Sequence, residues 1–342
     1  IGQQELKDVL STLNKQDYSI GKVSENVKNG VFKANFHIHT DESDGMVTVE
    51  ELLDQAVSYA DKMKNPPFYF SITNHDLFED NIKALELISQ NPTKYSKIRF
   101  IPGIEIMNFY NKPDTFKEPV VIEILSYGLN PFSKHFKAFF DDMEKINIDY
   151  AKVIVDKANK LGLEVNFDKL AEDNRYTHYC SNLNLLRRYL RQEAEEKGVK
   201  REQIDDLFTD HIKKYGSILV SKASVTMEQV GEAFKDTFLS LAHPGRYGFY
   251  NPDDSSTKDC LPKSIKIYPL KDGKTPEQAL VKFISDFKNI GGQALEMHYP
   301  YDLRYNDIEN NSWMQILHKT AELSGLLNSG GLDTHRDSIL YY

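Results

Sequence analysis

Only two cysteines, Cys180 and Cys260, occur in 342 residues. They are too few for a disulfide framework and have no paired metal-binding spacing, so a disulfide scaffold and a closed thiolate zinc site are both excluded. A reducing, cytoplasmic compartment is the expectation. The chain has no apolar run approaching the ~20 residues of a membrane span, and no membrane partner is expected. It opens at Ile1 rather than Met with no signal-type segment, so an earlier leader would leave no trace. Excess positive charge is missing too. Against 51 Asp and Glu stand 42 Lys and Arg, a formal net charge of −9, which argues against an extended nucleic-acid surface. Any anionic substrate must be drawn in locally. Internal repeats and low-complexity tracts are absent.

What remains is ordinary globular composition, 40% hydrophobic and 27% charged, enough for one large domain or two small ones. Strand-like runs alternate with amphipathic helical runs. "KANFHIH" (33–39) precedes "TVEELLDQAVSYADKM", where Thr48 and Glu51 form a capping box and Leu52, Leu53, Ala56, Val57, Ala60 and Met63 recur at helical spacing. "FYFSITNHD" (68–76), "IRFIPGIEI" (99–106), "PVVIEILSYG" (119–128), "FLSLAHPG" (238–245), "QALEMHYP" (293–300) and "LLNSGGLDTH" (326–335) are further strand candidates. Thr275 with Pro276 marks a helix start. Strand then helix, repeated about seven times, predicts a parallel sheet covered by helices, as a closed barrel or an open doubly wound sheet. The rhythm breaks at 131–236, read as a mainly helical insertion between a first part (31–130) and a second (237–342), with a helical extension over 1–30. Within the insertion, Arg187, Arg188 and Arg191 are read as a solvated mixed-charge face rather than a phosphate-binding cluster. The stretch 247–275 is read as a surface excursion.

The densest chemistry is "FHIHTDESDG" (36–45). Strand side chains alternate, so His37 and His39 point one way and share a pocket, with Ile38 opposite. Asp333 and His335 repeat that spacing. His75, Glu105 and Glu123 also sit at predicted strand ends, and Asp44 follows the first strand at the Gly45 turn. In parallel α/β folds the C-terminal strand ends form one rim where sites assemble. Imidazoles with carboxylates and no thiolates suit Zn²⁺, Mn²⁺ or Fe. Carboxylates can also bridge two ions.

"HIHT…SDG", "TNHD", "GIEI", "THYCSNL", "AHPGRY" and "GLDTH" resemble, in order, the motifs of the polymerase and histidinol phosphatase (PHP) family of metal-dependent phosphoesterases, across roughly residues 33–337. An R-x-x-H before a helical segment with A-H-P-G-R-Y further on looks most like the branch that dephosphorylates nucleoside bisphosphates and trims short 5′-phosphorylated oligonucleotides. The resemblance implies an α/β fold, a distorted seven-stranded β/α (TIM-like) barrel, and a trinuclear site taking two or three divalent ions (Mn, Fe or Zn). The implied ligands are His37, His39, Asp44, His75, Glu105, His178, Asp333 and His335. Glu105 would bridge. Glu123 stands where the family usually has histidine, which favours harder ions. Asn74 replaces a common Asp and is expected to alter a hydrogen bond behind a ligand. Leu332 replaces Ser, with little effect expected.

His243 and Arg246 make a turn in any reading; the resemblance places them above the ions, Arg246 on phosphate oxygens and His243 as general acid to the leaving oxygen. Arg175 is a further substrate-binding candidate. Glu296 and His298 are read as supporting or rim residues, and His135, His211 and His318 as ordinary surface or packing residues. The implied reaction is hydrolysis of phosphate monoesters or terminal phosphodiesters by a metal-activated water. Phosphorylated small molecules or short oligonucleotides are the expected partners. A histidinol-phosphate-type phosphatase, an amidohydrolase-like enzyme and a non-catalytic PHP module remain alternatives.

Overall fold

A computed structural model describes residues 4, 6–9, 20–172, 183–208, 225–259, 261–262, 265–301, 312–338 and 340. Arg175, His178, Cys180, His211 and Cys260 lie outside the described residues, as do 10–19 of the expected N-terminal helical extension, within which Ile20–Lys28 is helical. Among the described residues no helix is long and apolar enough to cross a membrane.

Among the described residues ten strands form in chain order: β1 (Ala34–Asn35), β2 (Phe68–Phe70), β3 (Ile98–Phe100), β4 (Gly103–Tyr110), β5 (Val120–Tyr127), β6 (Phe238–Leu241), β7 (Tyr247–Tyr250), β8 (Lys266–Pro269), β9 (Ala294–His298) and β10 (Leu327–Gly330). The closed parallel barrel expected from the sequence does not form as one hydrogen-bonded sheet. The strands fall into sheets of three (β1-β2-β3), five (β10-β9-β6-β5-β4) and two (β7-β8). One cause is the link between β4 and β5, nine residues from 111 to 119. A parallel crossover needs a dozen or more. The pair is therefore antiparallel, Glu105 opposite Leu125, and β5 then runs antiparallel to β6 as well. A second cause is Pro102, which has no N–H for a ladder. "IRFIPGIEI" consequently splits into β3 and β4.

The three- and five-stranded sheets meet at two seams. At one, Ile38 bridges Thr334; the His39 N–H donates to the Thr334 carbonyl (2.9 Å) and the Thr334 N–H to the His37 carbonyl (3.1 Å). Buried Asn35 pins the same seam, donating to Thr334 Oγ1 (3.1 Å) and accepting from the Leu332 N–H (2.9 Å). At the other, His75 bridges Glu105, and the Asp76 N–H donates to the Glu105 carbonyl (2.9 Å).

The helices form where capping chemistry asks for them. Val49–Lys62 and Pro276–Asn289 both start with complete capping boxes, Thr48 with Glu51 and Thr275 with Gln278. Their apolar stripes, including Leu52, Leu53 and Ala56 on one and Leu280, Phe283 and Phe287 on the other, are buried. Phe36, Ile38, Phe68, Phe70, Ile72 and Leu332 belong to the core around the first sheet, whereas Ile104, Ile122, Leu241 and Phe283 belong to a second core. Over 134–208 the helices Lys134–Lys160, Phe167–Glu172 and Leu183–Lys197 supply a third, with Ile154, Val155, Leu186, Leu190, Ile204 and Phe208. The stretch 247–275 is not a plain surface excursion. It holds β7, a short helix (Ser255–Asp259) and β8, and it buries Tyr247, Phe249, Tyr268 and Leu270.

The backbone comes close just past β10, where a Cβ on Gly331 would lie 2.3 Å from His37 Cβ and 2.6 Å from His37 N. Gly331→Ala is therefore expected to push His37 aside and cost about 1–3 kcal/mol. The urea midpoint should fall at unchanged slope; an unshifted midpoint would mean the strand relaxes freely.

Candidate metal centre

His37 and His39 follow β1 in extended backbone and face one side, as alternation requires, both wholly buried. Glu105 arrives as the third residue of β4 and Glu123 as the fourth of β5, so neither lies at a C-terminal strand end as the sequence suggested. His75, Asp333 and His335 come from the segments after β2 and β10, Asp44 from the turn after His39, and His243 from the end of β6.

Donor atoms converge closely. His37 Nε2 lies 3.1 Å from His39 Nε2. Glu105 Oε2 is 3.2 Å from the first and 3.3 Å from the second; Asp333 Oδ1 is 3.4 and 3.3 Å from them. Ligands at the ~2.0–2.1 Å of a zinc–nitrogen bond stand about 3.3–3.4 Å apart around a tetrahedral ion. The spacings thus match the edges of a coordination polyhedron. Around the same carboxylate, His75 Nδ1 is 3.2 Å from Glu105 Oε2, and His75 Nε2 and His335 Nε2 are 3.6 and 3.3 Å from Asp44 Oδ2. On its other side, His243 Nε2 is 3.2 Å from Glu105 Oε1 and 3.4 Å from Glu123 Oε2. Glu105 touches all three groups. His39 Nδ1 is buried with no hydrogen bond, though it faces Asp44 Oδ1 at 3.4 Å, an arrangement that an ion between the two would satisfy. The donor set fits divalent ions, and His37, His39, Asp44, His75, Glu105, Glu123, His243, Asp333 and His335 form overlapping groups able to hold them.

The electrostatics agree. Burial alone would lower the pKa of His37, but the charges of Glu296, Glu105 and Asp333 carry it well above the usual imidazole range. His39 rises to about 9 against the same burial, through Asp44, Asp333 and Glu105. Burial would raise Glu105, yet His37, His75 and His243 hold it well below the usual carboxylate range. Glu123 is lowered despite burial, with Lys266 the chief cause. Charge balance here demands cations, either protons on imidazole or metal ions.

Supporting groups aim the ligands. Glu296, fully buried on β9, takes His37 Nδ1 at 2.9 Å and the His243 N–H at 2.9 Å. That bond leaves His37 Nε2 as a lone pair facing the cluster. The Tyr299 hydroxyl donates to Asp333 Oδ2 (2.9 Å), and His335 Nδ1 to the Asp333 carbonyl (2.8 Å). Asn74 ties the turn before Asp44, its amide donating to Thr40 Oγ1 (2.6 Å) and Glu42 Oε2 (2.7 Å). Leu332 packs in the core. Strain gathers at the same place: Asp76, His243 and Asp333 adopt φ of 55°, 29° and 50°, conformations that persist where surrounding structure fixes them.

His243 is thus placed within the cluster rather than above it. Arg246 does lie at the cluster edge, Nη1 3.7 Å from Asp333 Oδ2. The donors floor a cavity of about 390 Å³ whose walls carry four cations, Arg187, Arg246, Lys266 and Arg336. Sequence reading had Arg187 on a solvated face and passed over Lys266 and Arg336, whose only signal was charge. His135 bonds the Ala233 carbonyl (3.0 Å) and His318 is exposed, both apart from the centre.

No protein-family model and no curated protein matches the sequence. Solved structures do match. An amidohydrolase from Chromobacterium violaceum, described with bound sulfate and no metal, is 18% identical, with a TM-score of 0.56 over 89% of this chain and 88% of its own. A provisionally assigned metal-dependent phosphoesterase from Bifidobacterium adolescentis is 20% identical, with a TM-score of 0.53 over 89% and 87%. At these identities the likeness establishes a shared fold.

Proposed function

We propose that the protein is a metal-dependent phosphoesterase acting on phosphate monoesters or terminal phosphodiesters, of nucleotides or short oligonucleotides. The observation that carries this reading is a floor of metal donors joined by one carboxylate, Glu105, beneath a wall of four cations. Counted across its two seams, the strand circuit β1-β2-β4-β5-β6-β9-β10 has seven members, in keeping with a distorted PHP-type barrel. The two structural relatives, one named for phosphate-ester chemistry and one described with sulfate, are consistent with an anion-binding cavity.

In this reading His37, His39, Glu105 and Asp333 hold one ion, Asp44, His75 and His335 with Glu105 a second, and His243, Glu105 and Glu123 a third. Such ions, when bound, supply Lewis acidity and an activated water at neutral pH. Glu105 and Asp333 fix the spacing of the donor groups. Arg246 forks onto equatorial phosphate oxygens and offsets the charge that develops on them. His243, facing two carboxylates, serves as a ligand in place of the general acid suggested by the sequence. Arg175 and His178 keep their proposed substrate and ligand roles.

The test is inorganic phosphate release with added Mn²⁺ from adenosine 3′,5′-bisphosphate, a 5′-phosphorylated short RNA, histidinol phosphate and p-nitrophenyl phosphate. Turnover of the nucleotide substrates, abolished by chelation and restored by Mn²⁺, is the expected result. Preference for histidinol phosphate would move the substrate to amino-acid metabolism. No release from any of them would sink the phosphoesterase reading and favour amide hydrolysis or a binding role.

A further inference from the structure

One cation of the cavity wall comes from the helical segment 134–208. Arg187 lies on the helix Leu183–Lys197, whose rotation is set by the fully buried Leu186 and Leu190. Leu186 and Leu190 are four residues apart and share a face, as Arg187 and Arg191 do one position on. Asp205, on the next helical run, clasps both arginines through one oxygen, Oδ1 lying 3.0 Å from Arg187 Nε and 2.7 Å from Arg191 Nε. Bonds from Arg191 and Arg187 hold Asp205 below the usual carboxylate range although burial would raise it. The clasp engages Nε of Arg187, not the terminal nitrogens that make an oxyanion-binding fork. Arg188 completes the docking, donating to the Gly45 carbonyl (3.3 Å) beside Asp44.

The cavity, about 390 Å³, is in the size range of whole small-molecule ligands rather than one phosphate group. Arg246 stands at the donor floor through Asp333, whereas Arg187 reaches the wall from the helical segment. We propose that Arg187 is a specificity-determining residue that contacts an anionic group of the substrate other than the one being hydrolysed, and that Asp205 is its positioning residue. The proposal rests on the phosphoesterase reading for what binds at the floor. It gives the helical segment a role in catalysis, the admission of substrates by their second charge.

The experiment compares the Mn²⁺-loaded wild type with Arg187→Ala, Arg187→Lys and Asp205→Asn on two substrates. Adenosine 3′,5′-bisphosphate carries a second phosphate; p-nitrophenyl phosphate carries one alone. For Arg187→Ala, KM for the bisphosphate should rise about tenfold or more, as loss of a charge-assisted hydrogen bond implies, with kcat within about twofold and p-nitrophenyl phosphate unchanged. Arg187→Lys should recover part of the loss, since charge is kept and the fork is not. Asp205→Asn should shift KM the same way by a smaller factor. Equal losses on both substrates, or no change on either, would overturn the proposal. Failure of the underlying reading is separate, for then the wild type itself releases no phosphate. In that case calorimetric binding of pyrophosphate to the Mn²⁺-loaded proteins decides: about tenfold weaker binding by Arg187→Ala supports the contact, and equal binding overturns it.

Discussion

Glu105→Gln is expected to reduce phosphate release at least ~10³-fold and to lower the metal content by one ion or more per chain. The change is nearly isosteric, so packing around this buried side chain is preserved. What it alters is chemistry. Glu105 places one oxygen 3.2–3.3 Å from nitrogens of His37, His39 and His75 and the other 3.2 Å from His243. A carboxylate can satisfy ions on both oxygens, whereas an amide offers one weak oxygen and an N–H₂ aimed at imidazole lone pairs. Turnover and elemental analysis of the same preparation, with a thermal melt as the control for folding, make the test. Wild-type activity with a full metal complement would show that Glu105 does not bridge.

Glu296→Ala is expected to weaken Mn²⁺ activation 10–100-fold without touching an ion. Two donors lose their acceptor at once, His37 Nδ1 and the His243 N–H. Burial leaves them no solvent to turn to, at a cost of about 1–3 kcal/mol each. With Nδ1 unclaimed, His37 is free to change tautomer or rotate, and its Nε2 no longer presents a fixed lone pair. The readout is the Mn²⁺ concentration for half-maximal activity. Saturating Mn²⁺ should restore much of kcat, which separates misaimed ligands from a lost catalytic group. Glu296→Gln, keeping one acceptor oxygen, should fall between. An unchanged Mn²⁺ dependence would reduce Glu296 to a packing residue.

The parts legible in the sequence were those governed by local periodicity. Alternation put His37 with His39, and capping residues placed the helices that start after Thr48 and Thr275. The ordered motifs pointed to Glu105, Asp333 and His335, which the structure brings together. What escaped depended on partners distant in the chain. Glu296 and His298 were read as supporting or rim residues, but nothing local could say that Glu296 would meet His37, 259 positions away. Arg187 looked like any arginine of a mixed-charge helix, because its role depends on how that helix docks on Gly45. The reversal at β5 was within reach, since the short link after β4 forbids a crossover. The resemblance set His243 above the ions, whereas its φ of 29° turns the residue off the path of β6 and toward Glu105 and Glu123, a backbone conformation the sequence does not reveal.

The two seams between sheets have a kinetic meaning. Backbone ladders are thinnest where Ile38 meets Thr334 and His75 meets Glu105, and each junction lies between or on residues that reach the same cluster. Ions shared across both junctions would act as rivets, so the rate at which the first sheet parts from the second becomes a property of metal occupancy. Amide hydrogen exchange at His39, Thr334 and Asp76, whose N–H groups point across or along these junctions, would then report loading of the site as local opening free energy. In such a design, whatever holds the ions also holds the two halves of the molecule together.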